Sequence, residues 1–201
     1  MMENSMPKNH FNQQIDFVLE MDKLKSIFRR SYVLGTNRNE NDAEHSWHLS
    51  LMAIVLSEYA NTEIDVLQVL KMLLIHDIVE IDAGDTFYYD DKGARDKADR
   101  EQTAANRIFS ILPENQEKEF RCLWEAFEEG QTPEAMFAKS LDRLMPLLHN
   151  YHSKGKAWKE HGITQDQVLN KNKHIAEGSK ELWEYAYSII TDAVKKGYLA
   201  K

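Results

Sequence analysis

The chain has 201 residues, of which 42% are hydrophobic and 10% aromatic, and its formal net charge is −8. This length and composition suit one folded globular domain and exclude an intrinsically disordered chain. Lys and Arg form no run that could follow a nucleic-acid backbone, so we expect no nucleic-acid polymer as a partner. A phosphorylated small molecule bound by so acidic a chain needs a local positive centre, which a metal ion supplies.

The sequence carries no signal for export or membrane insertion. Residues 1–10 are polar, and the most apolar stretch, residues 66–81, is interrupted by Lys71, His76 and Asp77. The single cysteine, Cys122, excludes an intramolecular disulfide and a zinc site built on cysteines, and its apolar helical neighbours predict a buried thiol. We therefore expect a cytoplasmic protein that does not enter a membrane.

The first half of the chain is predicted to contain three helices and a loop. Apolar residues spaced by four and three predict a first helix of about five turns, with Phe17, Met21, Leu24 and Phe28 on one face. Asp42 can cap a second helix, which carries His45 on its apolar face. Residues 66–74 predict a third helix, and the polar stretch 83–95 predicts a loop.

The second half is predicted to be helical as well. Residues 94–112 form one helix, and Pro113 and Pro133 mark the first turns of the next two, where a missing N–H costs nothing. Pro146 should kink the second of these near its end. A short helix starts at Thr164, and a final helix ends near Gly197. With no convincing strand, repeat or linker, residues 1–201 are predicted to form a single all-α domain.

The segment Leu73-Leu74-Ile75-His76-Asp77-Ile78-Val79-Glu80 is the most informative one for chemistry. It places three ionisable side chains in an apolar helix, which costs several kcal/mol unless a cation or partners compensate them. His45 and Asp142 lie on or beside the apolar faces of two other predicted helices. Imidazole and carboxylate ligands together suit a borderline divalent ion and leave positions open for water and substrate.

The order of these residues resembles the HD-domain metal-dependent phosphohydrolases, and within them the branch of the bacterial 5′-deoxynucleotidases. The matching pieces are Glu44-His45-Ser46, Ile75-His76-Asp77 followed by Glu80, Gly84-Asp85, and Ser140-Leu141-Asp142-Arg143-Leu144. The resemblance implies a helical bundle with one divalent metal ion (Mn, Co, Fe, Ni, Zn or Mg), held by His45, His76, Asp77 and Asp142. It also implies a phosphomonoesterase for nucleoside 5′-monophosphates.

The resemblance also implies roles for other residues. Glu80 would orient or deprotonate the attacking water, and Asp85 would lie by the substrate phosphate. Arg30 would reach the substrate from the first helix. Ser31 stands where those relatives carry a tryptophan, so we expect weaker discrimination between deoxyribose and ribose. The apolar helical surfaces predict a homodimer.

Several alternatives stay open at this point. The substrate could be another nucleotide phosphate (a triphosphate, a cyclic nucleotide or a guanosine polyphosphate), or the chain could be a non-catalytic metal-binding module. A two-iron oxygenase is disfavoured because no histidine lies between Asp77 and Asp142. For His149, His152 and His161, lining of the substrate pocket or plain surface is favoured over a second metal site. Glu44 lies near the start of the second predicted helix, where the helix dipole favours a negative charge. For His48 we expect a structural role.

Overall fold

The computed structural model describes residues 9–90, 93 and 95–201. This part of the chain is mostly helical, which confirms the predicted all-α class, but it also contains two short strands, so the prediction of no strand was wrong. The strands are β1 (Phe28–Tyr32) and β2 (Asn39–Asn41). The helices are α1 (His10–Glu20), α2 (Asp42–Leu56), α3 (Val66–Ile75), α4 (Glu80–Ala83), α5 (Lys97–Phe109), α6 (Glu114–Glu129), α7 (Pro133–His152), α8 (Lys156–Glu160), α9 (Gln165–Asn172), α10 (Ile175–Gly178) and α11 (Lys180–Lys195).

The first helix is shorter than its apolar spacing predicted. It ends at Glu20, a 3₁₀ helix follows at Met21–Ser26, and β1 begins at Phe28. Phe28 is 54% exposed, so it continues the apolar repeat by coincidence and belongs to no core face. The antiparallel pairing of β1 with β2 supplies the backbone hydrogen bonds that a longer helix would have made.

The cap of the second helix lies one residue earlier than predicted. Asn41 is the N-cap, and with Glu44 it forms a capping box: the Asn41 side chain accepts from the Glu44 N–H, and the Glu44 carboxylate accepts from the Asn41 N–H. Asp42, predicted as the cap, is therefore the first helical residue. Its carboxylate is fully buried and is available for other contacts.

Two hydrophobic clusters meet at the segment that follows α3. The larger cluster is built on α7, which packs against α2, α3, α6, α10 and α11. The smaller one gathers α1, α5 and α6 around Phe109 and Trp124. Leu73 belongs to the larger cluster, whereas Ile75 and Ile78 belong to the smaller one. His76 and Asp77 consequently lie at the junction of the two cores.

Most predicted helix starts are confirmed. Pro113 is the N-cap of α6, Thr132 caps α7 with Pro133 in its first turn, and Thr164 caps α9. Pro146 lies inside α7, and the helix continues past it to His152. The predicted helix at 94–112 is α5 and is shorter; Ala94 lies outside the described residues.

The predicted burial of Cys122 was wrong. Its thiol is exposed, because Cys122 lies two residues before the buried Trp124 on α6 and so points away from the core. Among the described helices, none combines the length and the apolarity that crossing a bilayer requires. That residues 1–201 form a single domain stays a prediction.

Candidate active site

His76 and Asp77 lie in a tight turn between two helices. α3 ends at Ile75, residues 76–79 form the turn, and Glu80 begins α4 with its N–H donating to the Asp77 carbonyl at 2.9 Å. The prediction that one regular helix carries all three residues was therefore wrong. In a straight helix, the side chains of adjacent residues point about 100° apart. The turn lets the adjacent side chains of His76 and Asp77 reach the same site.

The four predicted metal ligands come together in space. His45 Nε2 on α2 lies 3.0 Å from Asp142 Oδ1 on α7. His76 Nε2 lies 3.1 Å from Asp77 Oδ2 and 3.9 Å from Asp142 Oδ1. All four residues are less than 10% exposed. Three separate parts of the chain bring the four side chains together, and their metal role stays a prediction.

The chemistry of these donors fits a divalent cation. His76 Nδ1 lies 2.9 Å from the carbonyl oxygen of Leu73, which can only accept, so the proton sits on Nδ1. Nε2 is then left with its lone pair, and it is buried without a hydrogen bond. Possible ligand atoms of His45, His76 and Asp142 lie within 4.8 Å of one another. Mixed imidazole and carboxylate donors of this kind suit a borderline ion.

His45 is held on both sides of its ring. Nδ1 lies 3.3 Å from Oε2 of Glu40, and the Ser31 hydroxyl donates to the same oxygen at 3.3 Å. Burial lowers the pKa of His45, but its bonds to Asp142 and Glu40 outweigh burial and raise that pKa to about 9. Glu40 is a functional candidate that the sequence did not reveal.

Arg29 is the arginine that reaches the ligand cluster. Its Nη1 donates to Asp77 Oδ2 at 2.7 Å and to Asp42 Oδ1 at 3.3 Å, and its Nη2 lies 3.7 Å from Asp142 Oδ1. Burial opposes ionisation of Asp77, but its contact with His76 and the charge of Arg29 hold its pKa well below the usual range. Arg29 therefore remains charged inside the site.

Arg30 does not lie where the sequence placed it. It belongs to β1 rather than to the first helix, and it is an exposed residue at the rim of the cleft. Side chains alternate along a strand, so Arg29 and Ser31 face inward and Arg30 faces outward. The Ser31 hydroxyl is engaged with Glu40. A recognised strand would have told the two arginines apart.

Carboxyl groups crowd the side of the site beyond Asp77. Burial raises the pKa of Asp42 to about 7, and burial together with the Asp77 charge raises the pKa of Glu80 well above its usual value. Burial also raises the pKa of Asp85, which is half-buried. Asp42 Oδ2 and Glu80 Oε2 are buried without hydrogen bonds. Asp42, predicted only as a cap, is thus part of this group.

An open cleft leads to these side chains. His76, Asp77, Glu80, Asp85 and Asp142 line its floor. Its walls combine cations with aromatic and amide side chains: Lys97, Lys139, Arg143, Phe87, Tyr88, Tyr89, Asn150, Trp158 and Asn172. The guanidinium carbon of Arg143 lies 3.7 Å from the Tyr88 ring centroid.

The remaining histidines separate into different surroundings. His149 is buried beside Glu40, whereas His152 and His161 are exposed, so the three do not form a cluster of their own. His161 lies against Phe87, with ring centroids 4.5 Å apart. Glu44 caps α2 and pairs with Arg38, which accounts for it without a role in the site.

Comparison with known proteins places the chain in a family. The HD domain model matches residues 21–183. A solved structure described as a predicted metal-dependent phosphohydrolase from Magnetospirillum magnetotacticum MS-1 is 47% identical, covers 98% of both chains and has a TM-score of 0.93. The PH0347 protein of Pyrococcus horikoshii OT3 shares the fold, with 22% identity, a TM-score of 0.62 and coverage of 90% of this chain and 99% of that one.

Curated relatives are similar over part of their length. The bovine 5′-deoxynucleotidase HDDC2 is 29% identical over 136 residues, which are 67% of this chain and 64% of that protein. The human 5′-deoxynucleotidase HDDC2 is 29% identical over 135 residues, 67% of this chain and 65% of that protein. The match thus spans slightly less than two thirds of these relatives. Because the family model covers most of its residues, this chain belongs to the HD domain family.

Proposed function

We propose that this chain is a phosphomonoesterase that hydrolyses nucleoside 5′-monophosphates with one divalent metal ion. The observation that carries the proposal is the buried cluster of His45, His76, Asp77 and Asp142 at the floor of a cleft, with Nε2 of His76 unpartnered. The names of the bovine and human relatives and of the Magnetospirillum structure support it.

The proposed ligands are His45, His76, Asp77 and Asp142. When bound, a divalent cation lowers the pKa of a water molecule towards neutrality and withdraws charge from a phosphate oxygen. Glu40 holds the ring of His45, and the Leu73 carbonyl holds that of His76, so both imidazoles are oriented before an ion arrives.

Arg29 is proposed to bind the substrate phosphate. Its side chain is 14% exposed and charged, and it lines the cleft beside Asp77. Charge-assisted hydrogen bonds from a fixed guanidinium suit a phosphate dianion. Lys97 and Lys139 add positive charge to the cleft walls, although Lys97 also pairs with Glu101 at 3.2 Å. Arg30, at the rim, is proposed to contact the substrate more weakly.

Glu80 is proposed to take the proton of the attacking water. Asp85 is proposed to lie beside the substrate phosphate. Burial and the Asp77 charge give the Glu80 carboxyl a raised pKa, and therefore a high affinity for a proton. Its Oε2 has no hydrogen bond that would have to be broken first. Burial also raises the pKa of Asp85, which favours a proton on its carboxyl beside the phosphate or the leaving oxygen.

The aromatic wall supports a nucleoside as the rest of the substrate. Phe87, Tyr88, Tyr89 and Trp158 line the cleft, and aromatic side chains stack on any nucleic-acid base. The preference between deoxyribose and ribose stays a prediction. A comparison of kcat/KM for dAMP and AMP measures it directly.

A homodimer in the cytoplasm remains part of the proposal. On α2 the apolar side chains of Trp47, Leu51, Ile54 and Val55 are 65%, 45%, 57% and 61% exposed. Their spacing puts them on one helical face, which a second copy of the chain would cover. Sedimentation of the wild type and of Ile54→Glu tests it: the variant should sediment as a monomer, and a wild-type monomer would contradict the dimer.

A substrate panel tests the proposed activity. The chain is stripped of metal, reconstituted in turn with Mn, Co, Ni, Mg, Zn or Fe, and assayed for phosphate release from nucleoside mono-, di- and triphosphates, cyclic nucleotides and sugar phosphates. We expect the highest kcat/KM for nucleoside 5′-monophosphates. A higher kcat/KM for a triphosphate or a cyclic nucleotide would show that the proposed substrate is wrong. No phosphate release from any of these compounds would contradict the proposed activity.

A further inference from the structure

A second group of metal-ligand side chains lies on the Nδ1 side of His45. Glu40 on β2, His48 on α2 and His149 near the end of α7 each offer one possible ligand atom, and these atoms lie within 4.8 Å of one another. Glu40 is 3% exposed and His149 6%, whereas His48 is half-buried. The group shares no residue with the four proposed ligands of the catalytic ion.

His149 brings a buried atom that lacks a partner. Its Nδ1 makes no hydrogen bond, although a polar atom at this depth normally has one. Nδ1 lies 3.9 Å from Oε2 of Glu40, which is too long for a hydrogen bond. A metal ion between these two atoms, with ligand bonds of about 2.0–2.2 Å and a wide angle between the bonds, would span this distance.

Glu40 brings a buried negative charge with few partners. Within residues 9–90, 93 and 95–201, its ion-pair contacts are the rings of His45 and His149, and no Lys or Arg lies within ion-pair distance of its carboxylate. The Ser31 hydroxyl donates to it at 3.3 Å. A carboxylate buried in this way is compensated either by a proton on one of these rings or by a bound cation.

We propose that Glu40, His48 and His149 form a second cation site for a borderline divalent ion such as Zn²⁺. Two imidazoles and one carboxylate are a ligand set that zinc uses in proteins, with water in the remaining position. Burial lowers the pKa of His149, which leaves its ring neutral as a ligand must be. His48 is the most exposed of the three ligands. An ion here would fix the carboxylate that orients His45.

Counting bound metal tests this site without any assay of activity. The full chain is stripped with a chelator, dialysed against buffered Zn²⁺, and analysed for zinc per chain by mass spectrometry. His48→Gln and His149→Gln should each bind one zinc fewer than the wild type. His152→Gln is the matched control, because His152 is an exposed histidine on the same helix as His149. It should bind as much zinc as the wild type.

Equal zinc content in the wild type, His48→Gln and His149→Gln would overturn the second site. Should His149→Gln fail to fold, as judged by circular dichroism, His48→Gln decides the question, since His48 is half-buried. Substitution with cobalt gives an independent readout. The wild type should show visible absorption bands from one more bound cobalt ion than His48→Gln does. Identical spectra would also overturn the site. Because metal is counted directly, the result does not depend on whether the proposed phosphatase activity is found.

Discussion

Glu40 Oε2 lies 3.3 Å from Nδ1 of His45, and Nε2 of the same ring lies 3.0 Å from Asp142. A carboxylate behind a metal-binding imidazole fixes its tautomer and orientation. We expect Glu40→Ala to weaken ion binding at the His45 cluster about 10- to 100-fold. Glu40→Gln retains an oxygen acceptor and should weaken it less.

This comparison is best made in a His48→Gln background, where the second ion is already absent. Competition with a chromophoric chelator gives the Kd for the remaining ion in each variant. An unchanged Kd in Glu40→Ala would show that the Glu40–His45 contact does not orient the ligand.

Removal of Glu80 separates catalysis from metal binding. Glu80 lies three residues after Asp77 but begins a new helix, and its Oε2 has no hydrogen bond. Glu80→Gln should keep the catalytic ion and lower kcat about 10²- to 10⁴-fold, as loss of a general base does. Metal content and kcat are measured on the same preparation. Normal turnover, or loss of the ion, would assign Glu80 a different role.

The two adjacent arginines provide a matched pair. Arg29 donates to Asp77 inside the site, whereas Arg30 is exposed at the rim. Arg29→Gln should lower kcat/KM by about 100-fold, the cost of losing a buried charge-assisted contact to the phosphate. Arg30→Gln should lower it only a few-fold. Equal losses, or a larger loss for Arg30→Gln, would reverse the assignment.

Asp42 predicts a dependence of stability on pH in the metal-free protein. Its pKa is raised from 3.8 to about 7 by burial first and then by the Asp77 charge. Between these values the folded chain holds a proton that the unfolded chain has released, so the free energy of unfolding falls as pH rises through this window and levels off above it. Asparagine does not titrate.

Asp42→Asn should therefore match the wild type near pH 4 and be more stable at pH 8, by up to about 4 kcal/mol. Urea denaturation of both proteins, at the two pH values and with chelator present, gives the comparison. The same difference at both pH values would show that Asp42 stays ionised in the fold.

Most helices could be predicted because they depend on local spacing and on residue type, whereas the four proposed ligands were chosen with the help of the family resemblance. His45, His76, Asp77 and Asp142 fall on or next to apolar helical faces, and burial of such groups already points to a cation. The strands could not be predicted, since β1 and β2 are short and carry no apolar alternation. The inward direction of Arg29 depended on those strands.

Contacts between distant parts of the chain could not be predicted from the sequence either. Glu40 meets His149 only because β2 packs near the end of α7, and nothing at either position signals the other. The sequence predicts Asp42 as a helix cap, but Asn41 is the cap in the structure. The burial of Asp42 depends on tertiary packing, which the sequence does not show. Cys122 was misplaced because the buried face of α6 is set by Trp124 and Phe127.

The most direct test of the account is phosphate release from a nucleoside 5′-monophosphate by the metal-free and the reconstituted chain, measured together with bound metal. We predict that chelation abolishes release, that a divalent ion restores it, and that His76→Ala and Asp77→Ala each lose the catalytic ion and the activity together. His152→Gln should behave as the wild type. Full activity in a preparation verified to contain no metal, or in His76→Ala, would contradict the central claim.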